Sequence, residues 1–342
     1  MTSEIIAADP TLHYSTDEHA PDDWQSETTS LASAIYRGLV ENGRRYQTLR
    51  PNGSHVPSDD QMFETYEASH LLALIMDLEE ENPFFRSPVG KDPKHILDIG
   101  TGTGSWAIDV ADLFPNATVR GVDLFPPPVS WIPPNCLLEV DDILQPWTWR
   151  DEFDLVHLRL LDSAFTPVET DHLYKQCYDH IKSGGWIEQL EMSSFIECDD
   201  DSVPEDSLLW SWGPRFTLVA DKAGKPLGIM RTFRESIEKA GFEDIHTKEY
   251  KWPIGAWPKD KGYKEAGAVN FQHWLSGMEG YGMWLLTKFG DPVPWTKEEV
   301  QVYVAKMRKE LSNPRFHAYH RARRIWARKP LHGVDITAEP SS

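Results

Sequence analysis

The run from His95 to Gly104, His-Ile-Leu-Asp-Ile-Gly-Thr-Gly-Thr-Gly, constrains this chain more than any other stretch. Ile96, Leu97 and Ile99 form a short apolar segment with Asp98 embedded in it, and Gly100, Gly102 and Gly104 then alternate with threonines. A helical pattern follows through Trp106, Ile108, Val110, Ala111, Leu113 and Phe114. This order predicts a buried parallel strand, a tight glycine turn and a helix. Glycine turns at positive φ and lets a ligand approach where a Cβ would clash. The result is a cleft at the carboxyl end of a strand, the usual binding place in an open α/β sheet.

The spacing G-x-G-x-G departs from the G-x-G-x-x-G of dinucleotide-binding turns, so the neighbouring segments decide its meaning. Residues 118–122 read as a second strand ending in Asp123, whose carboxylate can accept hydrogen bonds from both ribose hydroxyls of an adenosine. Residues 137–140 lead into Asp141-Asp142-Ile143, where a carboxylate can meet an adenine amino group. Residues 153–157 read as a fourth strand, and Lys182-Ser183-Gly184-Gly185 turns into a fifth at Trp186-Ile187-Glu188.

This series resembles the class I S-adenosylmethionine-dependent methyltransferases, over about residues 93–192. The resemblance implies that Gly100, Gly102 and Gly104 wrap the methionine end of the cofactor, that Asp123 holds the ribose, and that Asp142 with Ile143 borders the adenine. Asp98, Thr101, Trp106, Leu124, Asp141 and His157 complete the expected cofactor contacts. The alternatives are an NAD-type Rossmann protein and a sheet whose glycines serve packing alone.

A formal net charge of -20 argues against non-specific attraction to nucleic acid, though a basic protein partner such as a histone tail stays open. Cys136, Cys177 and Cys198 lie far apart, so neither zinc nor a disulfide framework is indicated, and a reducing compartment is expected. The opening residues lack a signal-peptide profile, and no apolar run approaches the roughly 20 residues that span a bilayer.

Residues 1–28 are polar and acidic and read as a flexible arm; residues 29–90 are expected to form an N-terminal helical cap. One helix is expected after Ser30, with Leu31, Ile35, Leu39 and Val40 on one face, ending at a turn near Gly43. A second, over about residues 59–80, carries the stripe Phe63, Tyr66, His70, Leu74 and Leu78.

Glu41 to Tyr46, the glycine turn with Trp106, the proline loop 126–134, Pro146-Trp147, residues 153–159 and residues 184–188 together resemble the fungal LaeA-like methyltransferases, over about residues 33–195. Members of that family act as regulators of secondary metabolism in velvet-type nuclear complexes or as tailoring enzymes in biosynthetic clusters. The resemblance implies that the Arg-Arg-Tyr segment folds over the cofactor, with Tyr46 on its methionine part and Arg44 or Arg45 on its carboxylate. A solvated basic pair beside a core tyrosine is the alternative. Trp131, in the proline loop, either covers the adenine or packs beneath the loop.

His157 and Arg159 end the fourth strand on one face, where many methyltransferases keep substrate-facing groups. His157 is the first candidate for a general base and Glu188 the second; a hydrogen-bonded histidine at a strand end is the alternative. The Asn/Asp-Pro-Pro-aromatic sequence of amino-methylating DNA and protein-glutamine enzymes is absent. Aromatic segments at 208–220 and 265–290 are expected to form a lid over the substrate side, or else ordinary helix packing. Residues 320–329 carry five arginines or lysines and are expected at an exposed sheet edge.

The chain is thus expected to be one Rossmann-like α/β domain. Its mainly parallel seven-stranded sheet carries helices on both faces, with the cofactor core at 91–195, lid helices and C-terminal strands at 196–330, and a tail at 331–342. Three functions follow: a methyltransferase regulating secondary metabolism with velvet-type partners in nucleus and cytoplasm, a small-molecule O- or N-methyltransferase, and a cofactor-binding scaffold without transfer activity.

Overall fold

The computed structural model describes residues 35–51 and 53–331. The expected arm at 1–28, the start of the first helix and the tail from 332 lie outside the described residues.

Strands β1 (Leu39–Glu41) and β2 (Arg44–Tyr46) form a hairpin where the first helix was expected to continue. Asn42 and Gly43 both take positive φ, 54° and 81°, the combination that closes a two-residue hairpin. Leu39 and Val40 therefore extend as strand residues instead of sharing a helical face with Ile35. Helix α1 (Asp60–Met76) follows, capped by the Asp59 carboxylate on the Met62 N–H.

The main sheet comprises β3 (His95–Ile99), β4 (Thr118–Asp123), β5 (Cys136–Val140), β6 (Phe153–Arg159), β7 (Ile181–Glu197), β8 (Glu243–Pro253) and β9 (Tyr319–Arg328). Their order is β5-β4-β3-β6-β7-β9-β8. The first five run parallel, and β9 is antiparallel to both neighbours. The sheet is the seven-stranded, mostly parallel one that the sequence predicts. It reverses direction outward from β3, so the ends of β3 and β6 border a topological switch point.

β3 and β6 are buried on both faces, which is why they read as nearly continuous apolar runs. One face packs Ile96, Val119 and Leu155 on Trp106 and Val110 of α2 (Ser105–Leu113). The other packs Leu97, Val156 and Leu158 on Leu173 and Tyr174 of α3 (Pro167–His180) and on Phe233 and Ile237 of α5 (Phe233–Ala240). A separate cluster joins α4 (Trp212–Lys222), the 29-residue α6 (Lys261–Phe289) and α7 (Lys297–Leu311), with α1 lying against α6.

β9 corrects one expectation. It lies between β7 and β8, so its basic residues do not form an exposed edge: Arg324 and His320 are buried. Among the described residues no helix is long and apolar enough to cross a membrane.

Candidate active site

The glycine turn leaves β3 at Gly100, whose φ is +69°. A Cβ there would stand 2.5 Å from Leu161 Cδ2, so any side chain would be strained in conformation and would push the tip of Leu161 aside. Asp98, just before the turn, is buried: Oδ2 accepts from Thr101 Oγ1 at 2.7 Å, and Oδ1 lies 2.8 Å from His157 Nδ1. At the end of β4, Asp123 Oδ2 accepts from Gly102 N at 2.8 Å, and Oδ1 accepts from Phe125 N at 3.3 Å. Burial raises the Asp123 carboxyl above its ordinary value, opposed by these backbone donors.

A cleft opens over this turn. Its floor is Gly100, Thr101, Gly102 and Asp123; Leu124, Asp141, Asp142 and Ile143 form one side. Phe63 and Tyr66 of α1, Arg50 and His55 of the loop before it, and Arg159, Leu161 and Phe165 at and beyond the end of β6 form the rest. The structure thus brings together eight of the expected contact residues.

The remaining expected contacts stand elsewhere. Gly104 caps α2 at φ +84°, and its missing Cβ makes room for Leu138. Trp106 turns inward, donates from Nε1 to the Phe84 carbonyl at 3.1 Å and stacks on His157 at 3.8 Å. His157 is only 1% exposed, between Trp106 and Asp98, so it fixes the carboxylate and does not face the cleft as a base. Its charged form is disfavoured by burial, against the pull of Asp98.

Glu188 is fully buried and held by Arg324 Nη1 at 2.5 Å, Ser87 N at 2.8 Å and Ser87 Oγ at 2.7 Å. Every one of these partners lies away from the cleft, and Glu188 is dropped as a base.

The Arg-Arg-Tyr segment braces the cleft instead of covering it. Arg44 pairs with both oxygens of Asp59, at 2.7 and 2.8 Å, and so anchors the start of α1. Arg45 donates to the Ser58 carbonyl at 2.9 Å and lies over the Phe125 ring. Tyr46 is buried in the core beneath α6 and α7. Trp131 is largely exposed and lines neither the cleft nor the core.

Arg159 stands in the cleft wall, which Arg44 and Arg45 do not reach. It lines the cleft, and no carboxylate pairs with it among the described residues. Its Nη1 donates to His70 Nδ1 at 3.1 Å, so the proton of His70 sits on Nε2, which donates to Asp109 Oδ2 at 2.8 Å. Burial lowers the Arg159 guanidinium to about 10, still charged near neutrality.

A second cavity adjoins the cleft and shares His55, Val56, Leu160 and Asp162 with it. Trp212 and Phe216 of α4 and Trp274, Tyr281 and Leu285 of α6 line it. Leu160 and Ser163, between the two spaces, take positive φ (54° and 62°), which concentrates backbone strain at this junction. Glu191 Oε1 accepts from Leu161 N at 2.9 Å, and Oε2 accepts from Asp162 N at 3.2 Å, holding the strained loop. The sequence carried no signal for residues 47–58; Glu191 was visible only as a carboxylate at the exit of the fifth strand, and Tyr66 only as one of a helical stripe.

These residues fit an adenosyl sulfonium. Asp123 would hold its ribose, Asp142 and Ile143 would flank its adenine, the crowded Gly100 turn would admit its backbone, and Arg159 would meet its carboxylate. When bound, that group supplies an electrophilic methyl. The fold and cleft together define a class I S-adenosylmethionine-dependent methyltransferase, and residues 96–185 match the profile described as a methyltransferase domain.

The methyltransferase pytC of Aspergillus terreus is 31% identical over 95% of this chain and 99% of its own length. The secondary metabolism regulator LAE1 of Cochliobolus heterostrophus is 34% identical over 85% of this chain and 94% of its own. The secondary metabolism regulator laeA of Monascus pilosus is 30% identical over 86% and 79%. The chain belongs to the LaeA-like methyltransferase family.

Proposed function

We propose that this protein is a regulatory methyltransferase that controls secondary metabolism from a complex with velvet-type proteins, in the nucleus and the cytoplasm. The observation that carries this reading is the likeness to LAE1, at 34% identity the highest of the three relatives above, over 94% of that regulator and well beyond the cofactor core. The net charge of -20 suits a basic protein partner better than a phosphate backbone.

The chain's own contribution to transfer is alignment. Asp98 and Asp123 fix the glycine turn, and Glu191 fixes the loop after β6. Holding donor and acceptor in line can supply about 7–11 kcal/mol of the barrier.

The test is to delete the gene in the source organism and restore either the native copy or an Asp123→Ala copy. Many secondary metabolites should fall on deletion, return with the native copy, and stay low with the variant. Tagged protein should bring down velvet-type partners from nuclear extract. Loss of a single metabolite, with all others steady, would instead mark a tailoring enzyme. Full rescue by Asp123→Ala would mark a scaffold.

A further inference from the structure

We propose that His55 is the catalytic base of methyl transfer: at the junction of the cleft and the second cavity, its Nε2 takes the proton of a neutral hydroxyl acceptor seated in that cavity. This rests on the methyltransferase reading above and adds the base and the chemistry of the acceptor.

Four residues line both spaces: His55, Val56, Leu160 and Asp162. Val56 and Leu160 have no polar side-chain atom. Asp162 has both oxygens engaged: Oδ1 accepts from Gly228 N at 2.9 Å and Ile229 N at 3.0 Å, and Oδ2 accepts from Gly228 N at 3.0 Å. His55 Nδ1 lies 3.3 Å from Oγ of Ser163, which lines the cavity, so the ring itself reaches the junction. Its Nε2 makes no hydrogen bond among the described residues and, unlike the orphaned Nε2 atoms of His157 and His273, keeps accessible surface. With its proton on Nδ1, towards Ser163 Oγ, the ring presents a lone pair at Nε2.

The other proton acceptors of the cavity are committed. Glu191 Oε1 accepts from Leu161 N and, at 2.8 Å, from Gln189 Nε2, while Oε2 accepts from Asp162 N. His273 lines the cavity alone, with Nδ1 2.7 Å from Ser69 Oγ and Nε2 sealed.

Lys225 Nζ donates to the Gly53 carbonyl and, at 3.3 Å, to the Ala164 carbonyl, tying the loop that carries His55 to the loop after β6. Burial, and then the Lys225 charge, lower His55 to about 3, so its lone pair is free near neutrality. So weak a base suffices, because the methylated oxonium that would otherwise form is a far stronger acid than an imidazolium.

Arg159, placed to meet the cofactor's carboxylate, directly precedes Leu160, so the methionine end faces the junction; Asp142, beside the adenine, lines the cleft alone. Asp162 and Glu191 stand in the cavity wall without a lysine or arginine, so the wall gives an anion no counter-charge and the acceptor enters with its proton on. Trp212, Phe216 and Tyr281 offer ring faces and edges around about 100 Å³, on the scale of the ~150 Å³ that admits one benzene ring. The acceptor oxygen bonds to the methyl carbon as the carbon–sulfur bond breaks and its electron pair returns to sulfur, while the hydroxyl proton passes to His55 Nε2. A methyl ether, S-adenosylhomocysteine and an imidazolium result; the positive charge of the sulfonium ends on His55, which releases its proton to solvent.

The experiment uses the full chain and two readouts. Calorimetry on the chain saturated with S-adenosylhomocysteine compares 4-ethylphenol with 4-ethylanisole, which has no proton to donate; the phenol should bind about tenfold more tightly. Methyl transfer from S-adenosylmethionine is then followed to 4-ethylphenol and to 4-ethylpyridine, whose nitrogen is methylated without losing a proton. His55→Phe should erase the binding preference and lower turnover of the phenol about 100-fold more than turnover of the pyridine. His55→Gln, whose oxygen accepts a hydrogen bond but not a proton, should keep part of the preference and show the same loss on the phenol.

Equal losses on phenol and pyridine, undiminished phenol turnover in His55→Phe, or phenol turnover restored by His55→Gln leaves His55 only its bond to Ser163 and overturns the proposal. So does a native chain that binds S-adenosylhomocysteine normally but neither methylates the phenol nor prefers it to the ether; the methyltransferase reading then survives. Failure of S-adenosylhomocysteine to bind the native chain overturns both.

Discussion

His157 Nδ1 lies 2.8 Å from Asp98 Oδ1, across the register pair that joins β6 to β3. Thr101 Oγ1 occupies the other oxygen of the same carboxylate. The histidine therefore acts on the glycine turn through Asp98. His157→Ala removes that bond, opens a void against Trp106, and leaves a buried carboxylate with one partner fewer. Stability should fall by about 2–4 kcal/mol, and S-adenosylhomocysteine affinity should fall with it. Urea unfolding and calorimetry read both. Native stability and affinity with turnover lost would return His157 to the role of base.

Gly100→Ala places a methyl 2.5 Å from Leu161 Cδ2 at a φ of +69°. The left-handed conformation alone costs a side chain about 1–2 kcal/mol, and Leu161 must also shift at the cleft wall. Cofactor affinity should fall more than tenfold while the melting temperature drops by only a few degrees. An unchanged dissociation constant would separate the turn from the cofactor site.

Asp123→Ala strips the acceptor from Gly102 N and Phe125 N and removes the carboxylate from the cleft floor. Affinity for S-adenosylmethionine should fall by about 10- to 100-fold. Asp123→Asn, which keeps one acceptor oxygen, should fall less. Equilibrium dialysis distinguishes them, and equal affinity in all three proteins would count against the ribose role.

The floor of the cleft was legible in the sequence because its determinants are local. A turn at positive φ favours glycine, and an acid ending a buried strand has few other uses, so Gly100, Gly102 and Asp123 stood out. The side chains that turn away from the cleft were misplaced because polarity does not reveal direction. His157 and Arg159 are two residues apart on β6, yet one is sandwiched by Trp106 and the other reaches the cleft. Arg44 and Arg45 looked free until α1 brought Asp59 and the Ser58 carbonyl to them. The second cavity depends on α4 and α6 meeting more than 100 residues after the glycine turn, a distance at which no spacing rule operates.

Arg324 should be irreplaceable for folding. Its guanidinium is buried and joins Glu188, at 2.5 Å, to Asp77, at 2.9 Å. The two carboxylates hold its pKa above the ordinary arginine value despite burial. Arg324→Met leaves buried Glu188 without a cation and Asp77 with Lys248 alone, at a cost of about 3–5 kcal/mol. Arg324→Lys cannot reproduce the two-pronged geometry and should recover only part of the loss. Soluble yield and denaturant midpoints test this; a midpoint within error of native for Arg324→Met would refute it.

Glu191 makes an opposite, pH-dependent contribution. Burial, and then the nearby Asp162 charge, push its carboxyl up to about 8, from an ordinary value of 4.5. Between those two values the folded chain keeps a proton that the unfolded chain releases. Stability from this group is therefore present below pH 4.5 and declines as pH rises towards 8, with a slope of at most about 1.4 kcal/mol per pH unit. Glu191→Gln cannot ionise and should flatten that decline. Relative to the native chain it should gain stability steadily from pH 5 to pH 8, as read by urea midpoints at pH 5, 6.5 and 8. Parallel curves over that window would mean that Glu191 is already ionised in the folded state. The carboxylate would then hold Leu161 N and Asp162 N by charge, and the loop after β6 should loosen in the glutamine variant at every pH.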